Sequence, residues 1–260
     1  MDEESIAYNK RTVNYDDLII TPEQLKKFYL FGVDMSDDDG NPYDPEMFAW
    51  YIRSAQQWLE QQLPGLKLTP TVIESERHDF YTNDYSAFSY IKLFNTPVQS
   101  VQAVEVQFPM ASQPIKFDPE WYRIESVGAT VQLVPTAGSF SSILLSQAGG
   151  SMFYGQQNIP AIFRISYKCG FESGKVPMNL VDIIGLKAGI QPLNIAGDLI
   201  AGAGVASKSI SMDGLSQSLN TTASAENTGY SANIKQREKE IESRLKDLRN
   251  YYCGISMVVV

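Results

Sequence analysis

The spacing of apolar residues changes twice along this 260-residue chain, and these two changes limit its fold more than any other feature. From 21 to about 66, apolar residues recur every three or four positions, as in amphipathic helices. From about 67 to 175 they fall in short alternating runs, and the helical spacing then returns over 176–253. The sequence therefore predicts an α+β fold, with N- and C-terminal helices flanking a central antiparallel β-rich region.

Two helices are predicted before the β-rich region, and residues 1–20 are expected to form a loose N-terminal arm. "TPEQ" at 21–24 is a helix start with Thr21 as the N-cap, and this helix is expected to end near Gly32, with Leu25, Phe28 and Tyr29 on one face. The second predicted helix runs from Pro45 to about residue 63. Its apolar stripe consists of Phe48, Ile52, Ala55, Leu59 and Leu63.

Short β-branched and aromatic runs separated by Pro, Gly and Asn predict about seven strands between 67 and 175. The alternation slips once next to Ala103, which predicts a β-bulge. The glycine-rich stretch 137–158 is expected to form a hairpin or flap. His78, the only histidine, is expected on the surface of the sheet.

The helical region after 176 is rich in small residues. Pro192 is expected to divide it into helices 178–190 and 192–203. Glycines at helical spacing permit close approach of another backbone, either in the core or at a seam between subunits, and the sequence leaves both readings open. The last predicted helix, "SANIKQREKEIESRLKDLRNYY", has a narrow apolar stripe formed by Ile234, Ile241, Leu245, Leu248 and Tyr252.

Composition excludes several classes of protein. A net charge of −9 argues against tight binding of nucleic acid, which needs clustered Lys and Arg, although an acidic wall suits a passage through which DNA slides. Cys169 and Cys253 are too few for a disulfide framework and are expected to be free thiols. With one histidine and no phosphate-loop or nucleophile-elbow motif, the chain is predicted not to be an enzyme and to hold no cofactor. No signal peptide or membrane span is predicted.

One acidic loop, "MSDDDGNPYDPE", partly matches a calcium-binding loop. With Gly40 at the sixth place, Asp37, Asp39 and Glu46 occupy the third, fifth and twelfth places. The first place then falls on Met35, which cannot bind calcium. We therefore expect no metal, and these three carboxylates are the ligands to test if calcium binds.

A long, nearly neutral segment occupies 205–230. Asp213 and Gly214 are a two-residue turn signal, which predicts a β-hairpin with Met212 opposite Leu215. Because one hairpin alone is marginally stable, two readings stay open: a disordered Ser/Thr-rich linker, or a segment that becomes ordered only on assembly.

The stretch "LVDIIGLKAGIQPLNIAGDLIAGAGVASKSISMDGLSQSLNTTASAENTGYSANIKQREKEIESRLKDLRNYY" resembles the C-terminal part of tailed-phage head-to-tail connector proteins, also called adaptor or neck proteins. In that family, helices surround a long Ser/Thr-rich segment, and larger members carry a strand-rich insertion before it. The resemblance covers 176–253, fits 21–66 more loosely, and does not extend to the β-rich middle.

The resemblance implies a structural virion protein that forms a dodecameric ring, binds the portal protein and tail or neck proteins, and extends the DNA channel without specific DNA binding. It implies location in the neck of the virion after assembly in the host cytoplasm, away from membranes. The ring-forming region would be 21–66 with 176–253, the β-rich insertion 67–175, and the C-terminal tail 254–260.

Three groups of residues are the predicted interface: the hairpin, two small-residue positions and the apolar tail, which could add a strand to a partner's sheet. They are Ser209, Ile210, Met212, Asp213, Gly214, Leu215 and Leu219; Gly197 and Gly202; and Met257, Val258, Val259 and Val260.

Two alternatives remain. The chain could be another virion protein, such as a tail-completion or capsid-associated protein. It could instead be a carbohydrate-binding or carbohydrate-cleaving protein in which Trp121, Tyr122 and Tyr154 of the β-rich region stack on sugars.

Overall fold

The chain has an α+β fold, seen in a computed structural model that describes 14–37, 39–81, 90–107, 113–126, 128–133, 158–201, 207–212, 215–220 and 230–252. It divides into two compact units. The helical unit comprises Met1–Leu63 and Val176–Val260, and the β unit comprises Pro64–Lys175. None of the described helices combines the length with the apolar composition that a bilayer crossing demands.

The helical unit begins with a 3₁₀ turn, Tyr15–Asp17, and a short helix α1 that continues as a π-helical turn. Its elements are α1 Pro22–Gln24 with the π turn Leu25–Tyr29, α2 Pro45–Gln62, α3 Met178–Ala188, α4 Ile190–Ala201, β8 Ser207–Met212, β9 Leu215–Asn220 and α5 Ser231–Tyr252. Strands β1–β7 belong to the β unit.

The first helix starts as predicted but turns differently. Thr21 and Gln24 form a capping box, with the Thr21 hydroxyl accepting from the Gln24 amide at 3.2 Å. The amide of Leu30 then donates to the carbonyl of Leu25, five residues earlier, at 3.2 Å. Because this wider turn shifts the following side chains around the axis, Leu30 is buried and Phe28 is 66% exposed. The prediction that Phe28 shares a face with the buried Leu25 is therefore wrong.

The apolar stripes of α2 and α5 build the core of the helical unit. All five predicted residues of the α2 stripe are at most 3% exposed, and four of the five on α5 are buried, whereas Tyr252 is only partly buried. Helix α3 packs against α2, α5 and the π turn. Both stripe predictions are confirmed apart from Tyr252.

The break between α3 and α4 lies at Gly189 and not at Pro192. Pro192 occupies the first turn of α4, where a backbone amide has no partner within the helix. The missing N–H of proline therefore costs nothing there, and the helix does not kink at this residue.

The β unit consists of two antiparallel sheets around one apolar cluster. Its strands are β1 Thr71–Tyr81, β2 Tyr90–Lys92, β3 Val98–Val106, β4 Ile115–Lys116, β5 Tyr122–Glu125, β6 Thr130–Leu133 and β7 Asn158–Cys169. The larger sheet has the order β1-β7-β3-β4, and the smaller has the order β2-β6-β5. The predicted slip on β3 is confirmed by a register shift between Val101 and Ala103. The flap predicted at 137–158 lies outside the described residues except for Asn158.

A bulge in β1 decides which side chains reach this cluster. Two residues, Glu74 and Ser75, stand opposite the single Ser166 of β7, and the Ser75 amide donates to the Ser166 hydroxyl at 3.1 Å. The extra residue reverses the alternation, so that Glu76 and His78 point to the buried face. His78 is 7% exposed, and the prediction that it lies on the surface is wrong.

Candidate assembly surface

The predicted hairpin is present in the helical unit. Strands β8 and β9 pair antiparallel from Ser207 opposite Asn220 to Met212 opposite Leu215, which confirms the register expected from the turn signal. The principal contacts of each strand are with the other strand. A two-stranded hairpin without further packing is marginally stable in water, so contacts with another chain would add to its stability.

The sequence-predicted interface residues are only partly placed by the structure. Ser209, Ile210 and Met212 lie in β8, and Leu215 and Leu219 lie in β9. Asp213, Gly214, Gly202 and the tail residues Met257, Val258, Val259 and Val260 lie outside the described residues.

Large exposed apolar side chains are concentrated in the helical unit. Of the ten in the described part of the chain, seven belong to this unit. Phe31 is 87% exposed and Phe28 66%. The other five are Tyr15, Trp50, Met178, Leu199 and Tyr251.

The turn that carries Phe28 is held by a network around Tyr29. The Tyr29 hydroxyl donates to Asp182 Oδ1 at 3.0 Å, and Arg244 Nη1 donates to Asp182 Oδ2 at 3.1 Å. Burial, together with the hydrogen bond to Asp182, raises the pKa of Tyr29 to about 12. Phe28 is therefore presented from a backbone that α3 and α5 fix in place.

Arg237 of α5 holds the same turn from another side. Its Nη2 donates to the carbonyl of Tyr29 at 2.5 Å, and its Nε donates to Asn233 at 2.8 Å. Burial lowers the pKa of the Arg237 guanidinium, and Glu240 acts in the opposite direction. The turn thus depends on a partly desolvated cation.

Two glycines of α3 and its C-cap make room for these side chains. A Cβ at Gly185 would overlap the ring of Tyr29, and one at Gly189 would lie 2.6 Å from Arg237 Nη1. At these two positions the question left open by the sequence is settled in favour of the core of the same chain. Gly197 is also buried within the chain.

Gln56 of α2 fixes the end of the N-terminal arm. Its Oε1 accepts from the Ile19 amide at 3.1 Å, and its Nε2 donates to the Asp17 carbonyl at 3.0 Å. Gln56 is 2% exposed and Ile20 is 3% exposed. The expectation of a loose arm is therefore wrong for 17–20, while 1–13 lie outside the described residues.

The β unit contains a buried polar network that sequence reasoning missed. Glu76 accepts from the Tyr167 hydroxyl at 2.5 Å, and its other oxygen lies 2.7 Å from His78 Nε2. Asn95 donates to the Tyr167 hydroxyl through its backbone amide and its side chain. Burial raises the pKa of Glu76, but hydrogen bonds from His78 and Tyr167 outweigh it and bring the pKa below its usual value. The network fixes the loop around Asn95.

The carboxylates of the acidic loop accept hydrogen bonds from backbone amides of the same segment. Asp37 accepts from the amides of Asp39 and Asn41 at 3.0 and 2.7 Å, and these bonds lower its pKa. Glu46 lies in the first turn of α2, where its amide donates to Asp44. Within the described ranges, no three His, Cys, Asp or Glu side chains come together as a metal site.

The aromatic residues proposed for sugar stacking do not form an open platform. Tyr122 is 9% exposed, and Trp121 packs against the β core with its ring edge-on to Phe117. Tyr154 lies outside the described residues. The two described rings are thus occupied by the protein's own core.

Comparison with known proteins gives partial structural likenesses only. No family model matches the sequence, and no curated protein matches it. Chains from three solved structures are similar over part of their length, each at 13% identity.

The first is from the neck of an empty GTA particle computed with C6 symmetry, with a TM-score of 0.33 over 56% of this chain and 66% of that chain. The second is from the neck of a native GTA particle computed with C12 symmetry, with a TM-score of 0.34 over 55% and 67%. The third is from the virion of a native gene transfer agent particle, with a TM-score of 0.38 over 65% and 76%. This chain thus spans about two thirds of the length of the first two, and TM-scores in this range do not establish a common fold.

Proposed function

We propose that this chain is a non-enzymatic structural subunit of a virion neck. It acts as a head-to-tail adaptor that assembles into a ring, binds the portal protein on one side and tail or neck proteins on the other, and extends the DNA channel. The sequence resemblance over 176–253 supports this assignment. The ring of about twelve copies is taken from the same resemblance.

The hairpin β8–β9 is the observation that carries the proposal. Its backbone pairing is complete from Ser207 to Asn220, yet its main contacts are internal. An element of this kind gains stability when neighbouring copies or another protein cover it. A ring of identical subunits supplies such a neighbour at every position, because its contacts are heterologous and close by rotation.

The charge of the chain fits a DNA passage. Residues 1–63 contain 13 Asp and Glu but only five Lys and Arg. This part of the helical unit therefore has a net charge of −8, and the whole chain has −9. An acidic surface repels phosphates and lets DNA move without being held. The exposed Phe28 and Phe31 provide apolar area for a protein contact in the same unit.

The test is the mass of the assembled protein. The purified chain is measured by native mass spectrometry, alone and with the portal protein of its own particle. We expect a ring of about twelve copies. Deleting 208–228 should leave the circular dichroism of the folded helices nearly unchanged but abolish the ring.

Two point variants supply matched controls. Gly214→Val disfavours the positive φ that a two-residue hairpin turn needs, whereas Asp213→Asn keeps a favoured turn sequence. The first should reduce ring formation and the second should not. A deletion variant that still forms the wild-type ring would show that the hairpin is not the assembly element.

A further inference from the structure

One row of charged residues crosses all four strands of the larger sheet. Arg77 of β1 stands opposite Arg164 of β7, which stands opposite Glu105 of β3, which stands opposite Lys116 of β4. Directly opposed residues of antiparallel strands project from the same face. Arg164 alternates along β7 with the buried Phe163 and Ile165, so the row lies on the face away from the core.

The two arginines of this row stand directly opposite each other on neighbouring strands. Neither forms a hydrogen bond or ion pair with any residue in the part of the chain that the structure describes, and Arg164 Nε is buried without an acceptor. Glu105 lies beside Arg164, but its Oε1 is paired with Lys116 Nζ at 3.3 Å. Like charges directly opposite each other destabilise a sheet, and a buried donor without an acceptor adds to that cost.

An anion placed beside the two guanidinium groups would offset their like charge. Each guanidinium presents a planar fork of N–H donors that fits a carboxylate or a phosphate. Lys168, four residues after Arg164 on the same face, extends the positive surface along β7. The site thus fits an acidic segment in an extended conformation.

We propose that this arginine pair binds the acidic N-terminal segment, Asp2, Glu3 and Glu4, of a second copy of the chain. The chain has two runs of three carboxylates, and Asp37 of the run 37–39 already accepts hydrogen bonds within its own loop, so complementary charge favours the run at 2–4. A chain of 13 residues spans at most about 45 Å when fully extended. The inference rests on the proposed ring, since the ring is what brings a second copy within reach.

A protein carboxylate fits this site better than DNA does. The β unit as a whole has nine Asp and Glu against eight Lys and Arg, so it carries no net positive charge that would attract DNA. Binding along a DNA backbone needs a longer series of cations than this pair with Lys168 supplies. Two neighbouring guanidinium groups match the short series of carboxylates at Asp2–Glu4.

The experiment measures binding of a fluorescent peptide of residues 1–13 to the full chain by anisotropy at low ionic strength. The receiving chain carries Asp2→Ala, Glu3→Ala and Glu4→Ala, so that its own N-terminal segments do not compete. We expect the peptide to bind and salt to weaken it. Arg77→Ala with Arg164→Ala should weaken binding by about tenfold or more, as the loss of charge-assisted hydrogen bonds predicts.

Arg123→Ala is the matched control, because Arg123 is an exposed arginine on β5 of the smaller sheet. It should leave peptide binding unchanged. A peptide with Asp2→Lys, Glu3→Lys and Glu4→Lys should not bind the wild-type face but should bind a chain with Arg77→Glu and Arg164→Glu. This exchange keeps the test independent of any folding defect in the alanine variant.

Three results would overturn the inference: no peptide binding, an equal loss with Arg123→Ala, or displacement of the peptide by duplex DNA at lower concentration than by unlabelled peptide. Ring formation is measured separately by native mass. A ring without peptide binding refutes this contact alone, whereas peptide binding to a chain that stays monomeric with the portal refutes the proposed ring alone.

Discussion

The ring of Tyr29 fills the space that a side chain at Gly185 would need. A Cβ at Gly185 would lie closer than 3.0 Å to three carbon atoms of that ring, a separation that real Cβ atoms essentially never show. Alanine in a helix is favoured over glycine by about 1 kcal/mol, but overpacking costs about 1–3 kcal/mol. Gly185→Ala should therefore lower the free energy of unfolding in urea. In a Tyr29→Ala background the same substitution should be neutral or stabilising, and an equal effect in both backgrounds would contradict the contact.

The raised pKa of Tyr29 predicts a loss of stability at high pH. The folded state holds the Tyr29 proton up to about pH 12, whereas the unfolded chain releases it near 10.0. The stabilisation is thus complete below pH 10 and is lost as the pH rises to about 12. Tyr29→Phe removes this ionisation, so the difference in unfolding free energy between wild type and variant should shrink over this interval. A difference that stays constant would show that Tyr29 is not protected.

Removing the Tyr167 hydroxyl should destabilise the β unit. The side chain is 0% exposed, and its hydroxyl both donates to Glu76 and accepts from Asn95. Tyr167→Phe leaves these buried groups unsatisfied, at a cost of about 1–3 kcal/mol in urea unfolding.

Tyr122→Phe is the control, because Tyr122 is similarly buried and its hydroxyl has no hydrogen bond among the described residues. It should change the free energy of unfolding by less than about 0.5 kcal/mol. Equal effects of the two substitutions would mean that the hydrogen bonds of Tyr167 contribute nothing.

Gln56→Ala should release the segment around Ile19 from α2. Both hydrogen bonds of the Gln56 amide to this segment disappear, which should cost about 1 kcal/mol and speed hydrogen exchange at the Ile19 amide. Gln57→Ala makes the same change one position later on the exposed face of α2 and should alter neither quantity. If the exchange rate at Ile19 is the same in both variants, Gln56 does not fix the arm.

The elements that could be predicted from the sequence are those specified by residues close together in the chain. Thr21 and Gln24 form the capping box expected from their spacing, and Asp213 with Gly214 placed Met212 opposite Leu215. The α2 stripe could be predicted because a long helix with one apolar face turns that face towards the core. None of these depends on a distant part of the chain.

The wrong predictions for Phe28 and His78 have causes that cannot be read from a short stretch of sequence. The π turn exposes Phe28, and the bulge at Ser75 turns His78 inward. Both add one residue to a regular repeat, and each is contacted by a residue distant in sequence: Arg237 at the turn and Ser166 at the bulge. Most of the predicted interface residues lie in the hairpin and the tail. The structure describes the backbone pairing of the hairpin strands, and the tail lies outside the described residues.

The chain enters and leaves the β unit through neighbouring strands. Thr71 at the start of β1 pairs with Cys169 at the end of β7, and only glycine fits at 170, because any Cβ there would overlap the carbonyl of Thr69. Because its two chain ends lie close together, this unit has the form of an inserted domain. Over evolution it can be exchanged, shortened or lost by splicing at a single place, while the helices before and after it keep their sequence and their mutual contacts.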